Sequence, residues 1–543
     1  MSATDCAIAS MRRCARSERT VLLKADDLTI SFGGTPVLDR LSFAIGKGQR
    51  VGLIGESGAG KTMLALALVG LLPANATMSG TLSFEDAPLP ADEAALVMLR
   101  GKRIGIVLQQ TAHALDPLRS VATHLTDALQ RNGQPATAAD VAALLADVGL
   151  DAKLAPRFPH QVSAGQRQQI MVALALAGKP DLLIADEPAS ALDVIAQRKI
   201  VDLIERHCSE RDMALLLISH DLRAAALLCS RIMVLRGGKL VEAGDKLEVL
   251  GHPKQDYTKL LLAAGRHRAR TLMRAPIGGD LLELRHVSRR YRQPDVSIFQ
   301  PRPPLVALDD VSFTIRGGES LALVGPSGSG KSTLARIITG LERASAGELE
   351  FDHHLYHGPD MARDTRRDVA LVFEDPTASF NPRLTVGESI AEPLRLEAGA
   401  EIEDLGRRIV ESVNAVGLAP DMLARHPHEF SVGQRQRLAI ARALVTRPRL
   451  IVLDEPVAAL DVIARGEVLV LLNRLRADFG LTFLVISHDI DMVRVVADRI
   501  IVMDKGKIVE TGTPAQLLEK PQQEVTRELI AAGLPDVGIV PVL

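Results

Sequence analysis

The chain repeats itself. GESGAGKT at 55–62 returns as GPSGSGKS at 325–332, and HQVSAGQRQQ from His160 returns as HEFSVGQRQR from His428. LLIADEPASALDV from Leu182 returns as LIVLDEPVAALDV from Leu450, and LISHD from Leu217 returns as VISHD from Val485. Lys61 and Lys331 lie 270 positions apart; Ser163 and Ser431, Glu187 and Glu455, and His220 and His488 each lie 268 apart. Four motifs in one order, at nearly one spacing, mean two copies of a globular domain separated by short insertions. Solenoid repeats have periods of about 20–50 residues, so that architecture is excluded.

Within each copy, RVGLIG, DLLIAD and ALLLIS, and then LALVG, LIVLD and FLVIS, are continuous apolar runs. Runs without polar alternation suit parallel strands covered on both faces. The segments between them are long enough for helices. The chain is therefore expected to form two α/β domains with mainly parallel central sheets. We place the first at 22–265 and the second at 281–543, joined by a linker at 266–280. That join, RHRARTLMRAPIGGD, is short and basic and carries Pro and Gly. It reads as a solvated linker, with a strip touching anionic lipid as the alternative. The second copy takes 40 positions from Tyr291 to Lys331 where the first takes 29 from Phe32 to Lys61; the excess falls around QPDVSIFQPRPP, a Pro-rich surface loop. Residues 1–21 read as a disordered leader. Arg12, Arg13, Arg16 and Arg19 have no apolar run behind them, so this is no secretory signal.

Composition narrows the function classes. With 64 Lys+Arg against 66 Asp+Glu, the chain lacks the basic excess of a dedicated nucleic-acid binder. The 4 cysteines form no CxxC pair, so neither a disulfide framework nor a zinc ribbon is indicated, and a reducing cytosol fits. The longest apolar run, 63–72, is about half of what crosses a bilayer.

The chemistry lies in the repeated motifs. G-x-x-x-x-G-K-[ST] follows a strand-like run and precedes a helical one, twice. Glycines let backbone N–H groups curl around a phosphate, and the helix N-terminus adds positive potential. The candidate phosphate cradles are Gly55, Glu56, Ser57, Gly58, Ala59, Gly60, Lys61 and Thr62, and Gly325, Pro326, Ser327, Gly328, Ser329, Gly330, Lys331 and Ser332. The two lysines would meet the β/γ-phosphates, and the Thr62 and Ser332 hydroxyls would ligate Mg²⁺. Asp186-Glu187 and Asp454-Glu455 each end an apolar strand. Asp-Glu-Pro also terminates strands well, so each pair alone is ambiguous. In a nucleotide-binding sheet the Asp holds Mg²⁺ and the Glu acts as general base on water. His220 and His488 recur at one offset after each pair, which favours a γ-phosphate contact over a structural histidine. Ser163, Gly165 and Gln166, like Ser431, Gly433 and Gln434, precede long helical stretches; the Ser reads as an N-cap and the capped end as a phosphate contact, and both can hold.

This ordered set resembles the ATP-binding-cassette ATPases over about 22–265 and 281–533. The resemblance implies two tandem P-loop ATPase domains, each with a helical signature subdomain, that bind ATP and Mg²⁺. It implies Asp193 and Asp461 as D-loop residues, Phe32 and Tyr291 as adenine-stacking aromatics, and Thr62, Gln109 and Asp186, with Ser332, Glu374 and Asp454, around the metals. In that family two cassettes pair head to tail. Lys61, Glu187 and His220 would then face Ser431, Gly433 and Gln434, and Lys331, Glu455 and His488 would face Ser163, Gly165 and Gln166. The ends HPKQDYTKLLLAA and KPQQEVTRELIAA are similar to the peptide/nickel importer branch, in a fused form. That implies two transmembrane permease subunits as partners, a solute-binding protein indirectly, no nucleic acid, and peripheral association with the cytoplasmic face of the inner membrane. Some members of that branch carry a cysteine-ligated iron–sulfur cluster after the cassette; no Cys follows Cys229, so none is expected.

The departures are Ala164 and Val432 where the signature usually has Gly, Glu374 where the second Q-loop would have Gln, and Ala458 opposite Ser190. They put equal activity of the two sites in doubt. The competing class, a soluble tandem ATPase acting on ribosomes, usually has a long charged helical linker, and this join is only about fifteen residues. A DNA-repair cassette protein would need large insertions and zinc cysteines. Oligopeptide, dipeptide, glutathione, nickel chelate and opine-type metallophore all remain open as substrate.

Overall fold

The computed structural model describes residues 20–109, 114–190, 192–265, 277–293, 303–396 and 402–534. The expected leader and linker lie almost wholly outside these, as does most of the Pro-rich loop. At their edges the expected boundaries shift slightly: Val21 already opens a strand, and so does Asp280.

Each half contains a six-stranded sheet with the same spatial order. In the first half it runs Ile104–Val107, Leu182–Asp186, Ala214–Ser219, Arg50–Gly55, Arg231–Arg236, Lys239–Asp245. Neighbours are parallel except for the last pair, which is antiparallel. The second half repeats it with Val369–Val372, Leu450–Asp454, Thr482–Ile486, Ser320–Val324, Arg499–Asp504 and Lys507–Gly512. The strands Leu182–Asp186 and Ala214–Ser219 are buried at every position, as their unbroken apolar sequences require.

The sequence reading did not anticipate a second sheet. Val21–Phe32 pairs antiparallel with Thr35–Gly46 and with Ala76–Phe84, and Asp280–Tyr291 pairs likewise with Leu305–Arg316 and Ala346–Phe351. Gly33 and Gly34, at φ 54° and 83°, close the first hairpin, a conformation that glycine adopts without a steric penalty.

Helices Val121–Arg131, Ala138–Asp147 and Ala164–Leu176 form the expected helical subdomain of the first half; Val386–Ala391, Ile402–Ala415 and Val432–Leu444 form that of the second. Val121, Leu125, Val141, Leu145 and Ile170 tie the first of these to the sheet core.

The halves are exchanged at their edges. Helix Asp256–Gly265 packs on Val462–Phe479, and helix Glu524–Ala532 packs on Val194–Arg211. Val462 and Leu534 thereby join the first half's core, and Val194 and Ile195 pack against the second's. Among the described residues, no helix is long and apolar enough to cross a membrane.

Candidate functional site

In a parallel sheet the strand ends that carry ligands are the carboxyl ends. The loop after Arg50–Gly55, the pair Asp186-Glu187 and the histidine after Ala214–Ser219 all emerge there, with Gln109 two residues beyond Ile104–Val107. Their counterparts in the second half emerge in the same way.

Each glycine-rich loop delivers its lysine as the first residue of a helix, Lys61–Leu68 or Lys331–Ile338. Gly60 and Gly330 sit at φ 96° and 104°, and a Cβ on Gly330 would lie 2.4 Å from the Ala307 carbonyl. Only glycine fits there. Lys61 Nζ donates to the Gly55 and Glu56 carbonyls, both at 2.8 Å. Lys331 Nζ donates to those of Gly325 and Pro326 at 2.8 and 2.9 Å. Burial lowers the pKa of both lysines, opposed chiefly by Glu187 and by Glu455.

Asp186 is buried at the strand end, and neither carboxylate oxygen has a well-formed hydrogen bond. Burial pushes its carboxyl up to about 6 and the Glu187 charge adds to this, against the Thr62 hydroxyl and Lys61. Asp454 is likewise pushed up to about 6, by burial and by Glu455 and Glu374, and accepts from Ser332 Oγ at 3.5 Å. A buried carboxylate short of donors beside a hydroxyl fits a hard divalent cation such as Mg²⁺. Among the described residues there is no cluster of three or more His, Cys, Asp or Glu that could hold a metal ion.

Glu187 and Glu455 both have φ near +48°, an uncommon conformation for a non-glycine residue and one typical of strained functional positions. Their amides still donate to Ile218 and Ile486 of the neighbouring strands. The turn aims each carboxylate at a histidine. Glu187 Oε1 accepts from His220 N at 2.9 Å and contacts His220 Nδ1 at 2.8 Å. Glu455 Oε1 makes the same two contacts with His488, at 3.0 and 2.7 Å. A carboxylate only accepts, so Nδ1 carries the proton. Burial alone would lower the His488 pKa; the bond to Glu455 and its charge outweigh burial and raise it.

The two cradles open into one cleft of about 1200 Å³ between the halves, lined by Lys61, Thr62, Gln109, Lys331, Ser332 and Glu374 among others. Loss of hydration and the Glu455 charge push the Glu374 carboxyl up. Ser190 also lines the cleft and donates to the Glu187 carbonyl at 3.2 Å, a bond its counterpart Ala458 cannot make. Of the two aromatics expected to stack on adenine, Tyr291 lines the cleft. Phe32 does not: it is half-buried against the apolar cluster of its own half.

The signature residues act here as caps. Ser163 Oγ accepts from Gln166 N at 3.2 Å while Gln166 Oε1 accepts from Ser163 N at 3.0 Å, and Ser431 and Gln434 repeat both bonds. Ser163, Gly165 and Gln166 share a hollow with Pro326 of the other half's cradle; neither signature is among the residues lining the central cleft. A Cβ on Gly165 would lie 3.1 Å from Ala196 Cβ, and one on Gly433 would lie 3.0 Å from Ala464 Cβ. The signature helix therefore abuts the start of the D-loop helix, and the first signature position, Ala164 or Val432, is free of that constraint. Asp193 caps its helix through Ala196 N at 2.8 Å, and its other oxygen accepts from Ser327 N of the opposite cradle at 3.2 Å. Asp461 caps through Ala464 N at 2.9 Å and accepts from Ser57 N at 3.4 Å.

Sequence reasoning missed two groups. Tyr257, 5% exposed, accepts from Glu56 N at 3.0 Å and so braces the first cradle; burial pushes its hydroxyl up to about 12. The repeated ending HPKQDYTKLLLAA was its signal, and the aligned residue in the second half is Val525. Beneath the histidines, Arg465 donates to Asp489 at 2.9 Å, while Arg223 donates to Asp221 at 3.2 Å. Against burial, the charge of Arg223 and then that of Arg465 from the other half pull Asp221 down to about 2.

The sequence profile of the ABC transporter family matches residues 38–190 and 308–458, together more than half of the chain. The peptidoglycan transport ATP-binding protein YejF of Agrobacterium fabrum is 37% identical over 540 residues, covering 94% of this chain and 96% of that protein. The glutathione import ATP-binding protein GsiA of Escherichia coli K12 is 35% identical over 532 residues, covering 91% and 85%; that of Pectobacterium atrosepticum is 34% identical over 538 residues, covering 92% and 86%. Likeness of this extent, running through both halves, makes the chain a member of the ABC transporter family and an ATPase with two tandem cassettes.

Proposed function

We propose that this protein energises import of a peptide or a related small solute, hydrolysing ATP at two composite sites between its halves. The D-loop bridges carry this reading. Asp461 accepts from Ser57 of the opposite cradle and Asp193 from Ser327, so closure would bring Ser431 to a phosphate held by Lys61 and Ser163 to one held by Lys331. Thr62 and Asp186, with Gln109, would hold one Mg²⁺; Ser332 and Asp454, with Glu374, the other. The metal supplies neutralisation of phosphate charge. Glu187 and Glu455, each with Oε1 occupied by its histidine, use Oε2 to take a proton from water. His220 and His488, held at Nδ1, present Nε2 to the γ-phosphate. The protein docks on two transmembrane permease subunits at the cytoplasmic face of the inner membrane, and a solute-binding protein delivers cargo to them. The names of the relatives favour small peptides such as glutathione or peptidoglycan fragments.

Trapping nucleotide separately at each site tests the pairing. Ser431→Arg should impair the Lys61 site; loss confined to the Lys331 site would overturn it. Capture from detergent-solubilised membrane should recover permease subunits. Ribosomal proteins in their place would favour a soluble ATPase acting on ribosomes.

A further inference from the structure

The two phosphate cradles are alike, but the residues behind the two expected base-stacking aromatics are opposite in character. In the second half three side chains form a stack. Glu342 accepts from Arg289 Nε at 2.8 Å, the Arg289 guanidinium carbon lies 4.6 Å from the Tyr291 ring centroid, and Tyr291 lines the cleft. Strand register identifies the counterparts. Tyr291 pairs with Leu305 and Arg289 with Leu308, as Phe32 pairs with Thr35 and Ile30 with Leu38. Counting from the phosphate lysines, Glu342 corresponds to Leu72. Ile30 is fully buried, and Phe32 and Leu72 pack against the same cluster.

The physical consequence differs between the halves. An all-apolar set draws its ring onto the core, because that removes apolar surface from water. A set containing an ion pair cannot follow, since a buried guanidinium would lose its hydration. Arg289 is therefore only partly buried, with 25% of its side chain exposed and its charge met by Glu342, and it lies over the Tyr291 ring while the ring lines the cleft.

We propose that Arg289 and Glu342 are positioning residues that hold Tyr291 as a purine-stacking platform at the Lys331 site alone, so that this site retains adenine nucleotide more tightly than the Lys61 site. The proposal rests on the ATPase reading above. Stacking of one base on an aromatic ring is worth roughly fivefold to a hundredfold in affinity, enough to separate two otherwise similar sites.

Calorimetric titration of the full chain tests this, with Glu187→Gln and Glu455→Gln present to suppress turnover. The titrants are MgATP and, in parallel, magnesium tripolyphosphate, which has the phosphates and no base. Two classes of ATP affinity are expected. Tyr291→Ala should merge them, and Arg289→Ala or Glu342→Ala should weaken the tighter class about threefold to tenfold. Arg289→Lys, which keeps the charge without the flat guanidinium, should restore part of the loss. Phe32→Ala should leave the tighter class unchanged, and none of these variants should alter tripolyphosphate binding. Equal ATP classes in the parent chain would overturn the proposal and leave the ATPase reading intact. So would an Arg289→Ala loss of the same size for tripolyphosphate, which would make the role merely structural. No ATP binding at all would overturn both.

Discussion

The buried carboxylate of Asp186 should cost the empty protein stability, and Asp186→Asn should recover it. In the fold this carboxyl is pushed up to about 6 from an ordinary 3.8. The folded state therefore holds a proton at pH values where the unfolded chain has released it, and stability falls as pH rises from about 4 to about 6. Above 6 both states are ionised and the penalty is constant. At 1.36 kcal/mol per pKa unit it amounts to about 3 kcal/mol at pH 7.5. At pH 5 the same linkage leaves about half of that. Asp186 is 1% exposed, so solvent screening does not dilute the effect. Asn has the same shape and no charge. Scanning calorimetry in EDTA at pH 7.5 should show the first half of Asp186→Asn melting about 6–12 °C above wild type, at ~2–4 °C per kcal/mol. The gap should shrink to about half at pH 5. Mg-dependent hydrolysis at the Lys61 site should be lost in the same variant. A variant that melts at or below wild type at pH 7.5, or a gap that ignores pH, would refute the reasoning.

Three further changes separate the roles of other residues. The Glu374 carboxylate faces Glu455 and cannot donate when ionised, so Glu187→Gln should reduce steady-state turnover more than Glu455→Gln, and adding Glu374→Gln should narrow the difference; equal losses unmoved by Glu374→Gln would make the substitution silent. Gly433→Val should push the signature helix off Ala464 at about 1–3 kcal/mol and cut turnover at least about tenfold, with Gly433→Ala milder; wild-type turnover in the valine variant would show that the close approach is dispensable. Arg465→Ala removes one of the two cations, the other being Arg223, that act on both Asp489 and Asp221, and should lower the melting temperature, though by less than the ~3–5 kcal/mol of a fully buried pair, since the Arg465 and Asp489 side chains keep 18% and 16% exposure. Arg465→Gln, which copies Gln197 of the first half, should be better tolerated, and equal melting of all three proteins would remove the network from the stability account.

The parallel sheets and phosphate cradles were legible because their determinants are local: an unbroken apolar run, a glycine-rich turn, a lysine opening a helix. The antiparallel sheets were not, although Gly33-Gly34 between two strands is a hairpin signal. Bulges hide the alternation. Register shifts between Ala25 and Leu28, with Asp27 at φ 48°, and between Leu284 and Val287, with His286 at φ 53°. The period of two is broken where a reader would look for it. Phe32 and Tyr291 stand at matching places before their loops, yet only one reaches the cleft. On the proposal above, the difference lies in residue 30 against 289, each two positions from its ring, and in residue 72 against 342, which lie 40 and 51 positions away and so are not read beside the rings. Tyr257 escaped for the same reason, lying 201 positions from the amide it braces.

Several of the differences between the halves lie around the phosphate cradles. Both copies keep the cradle lysine, the acidic pair, the histidine, the capping serine and the D-loop aspartate. Ile30 corresponds to Arg289, Leu72 to Glu342, Gln109 to Glu374, Ser190 to Ala458, Gln197 to Arg465 and Tyr257 to Val525. Each exchange alters polarity next to a group that must bind, turn or release nucleotide. In an assembly of two identical chains any such change would appear at both sites; a fused chain confines each to one. The D-loop bridges then keep the sites from being independent, because Asp193 and Asp461 each cap a helix in one half with one oxygen and hold the other half's cradle with the second. A shift of either cradle when nucleotide binds must move the helix start that carries the opposite aspartate, and with it the signature helix packed against Ala196 or Ala464. On the proposed two-site reading, these contacts would couple the two chemically unequal sites.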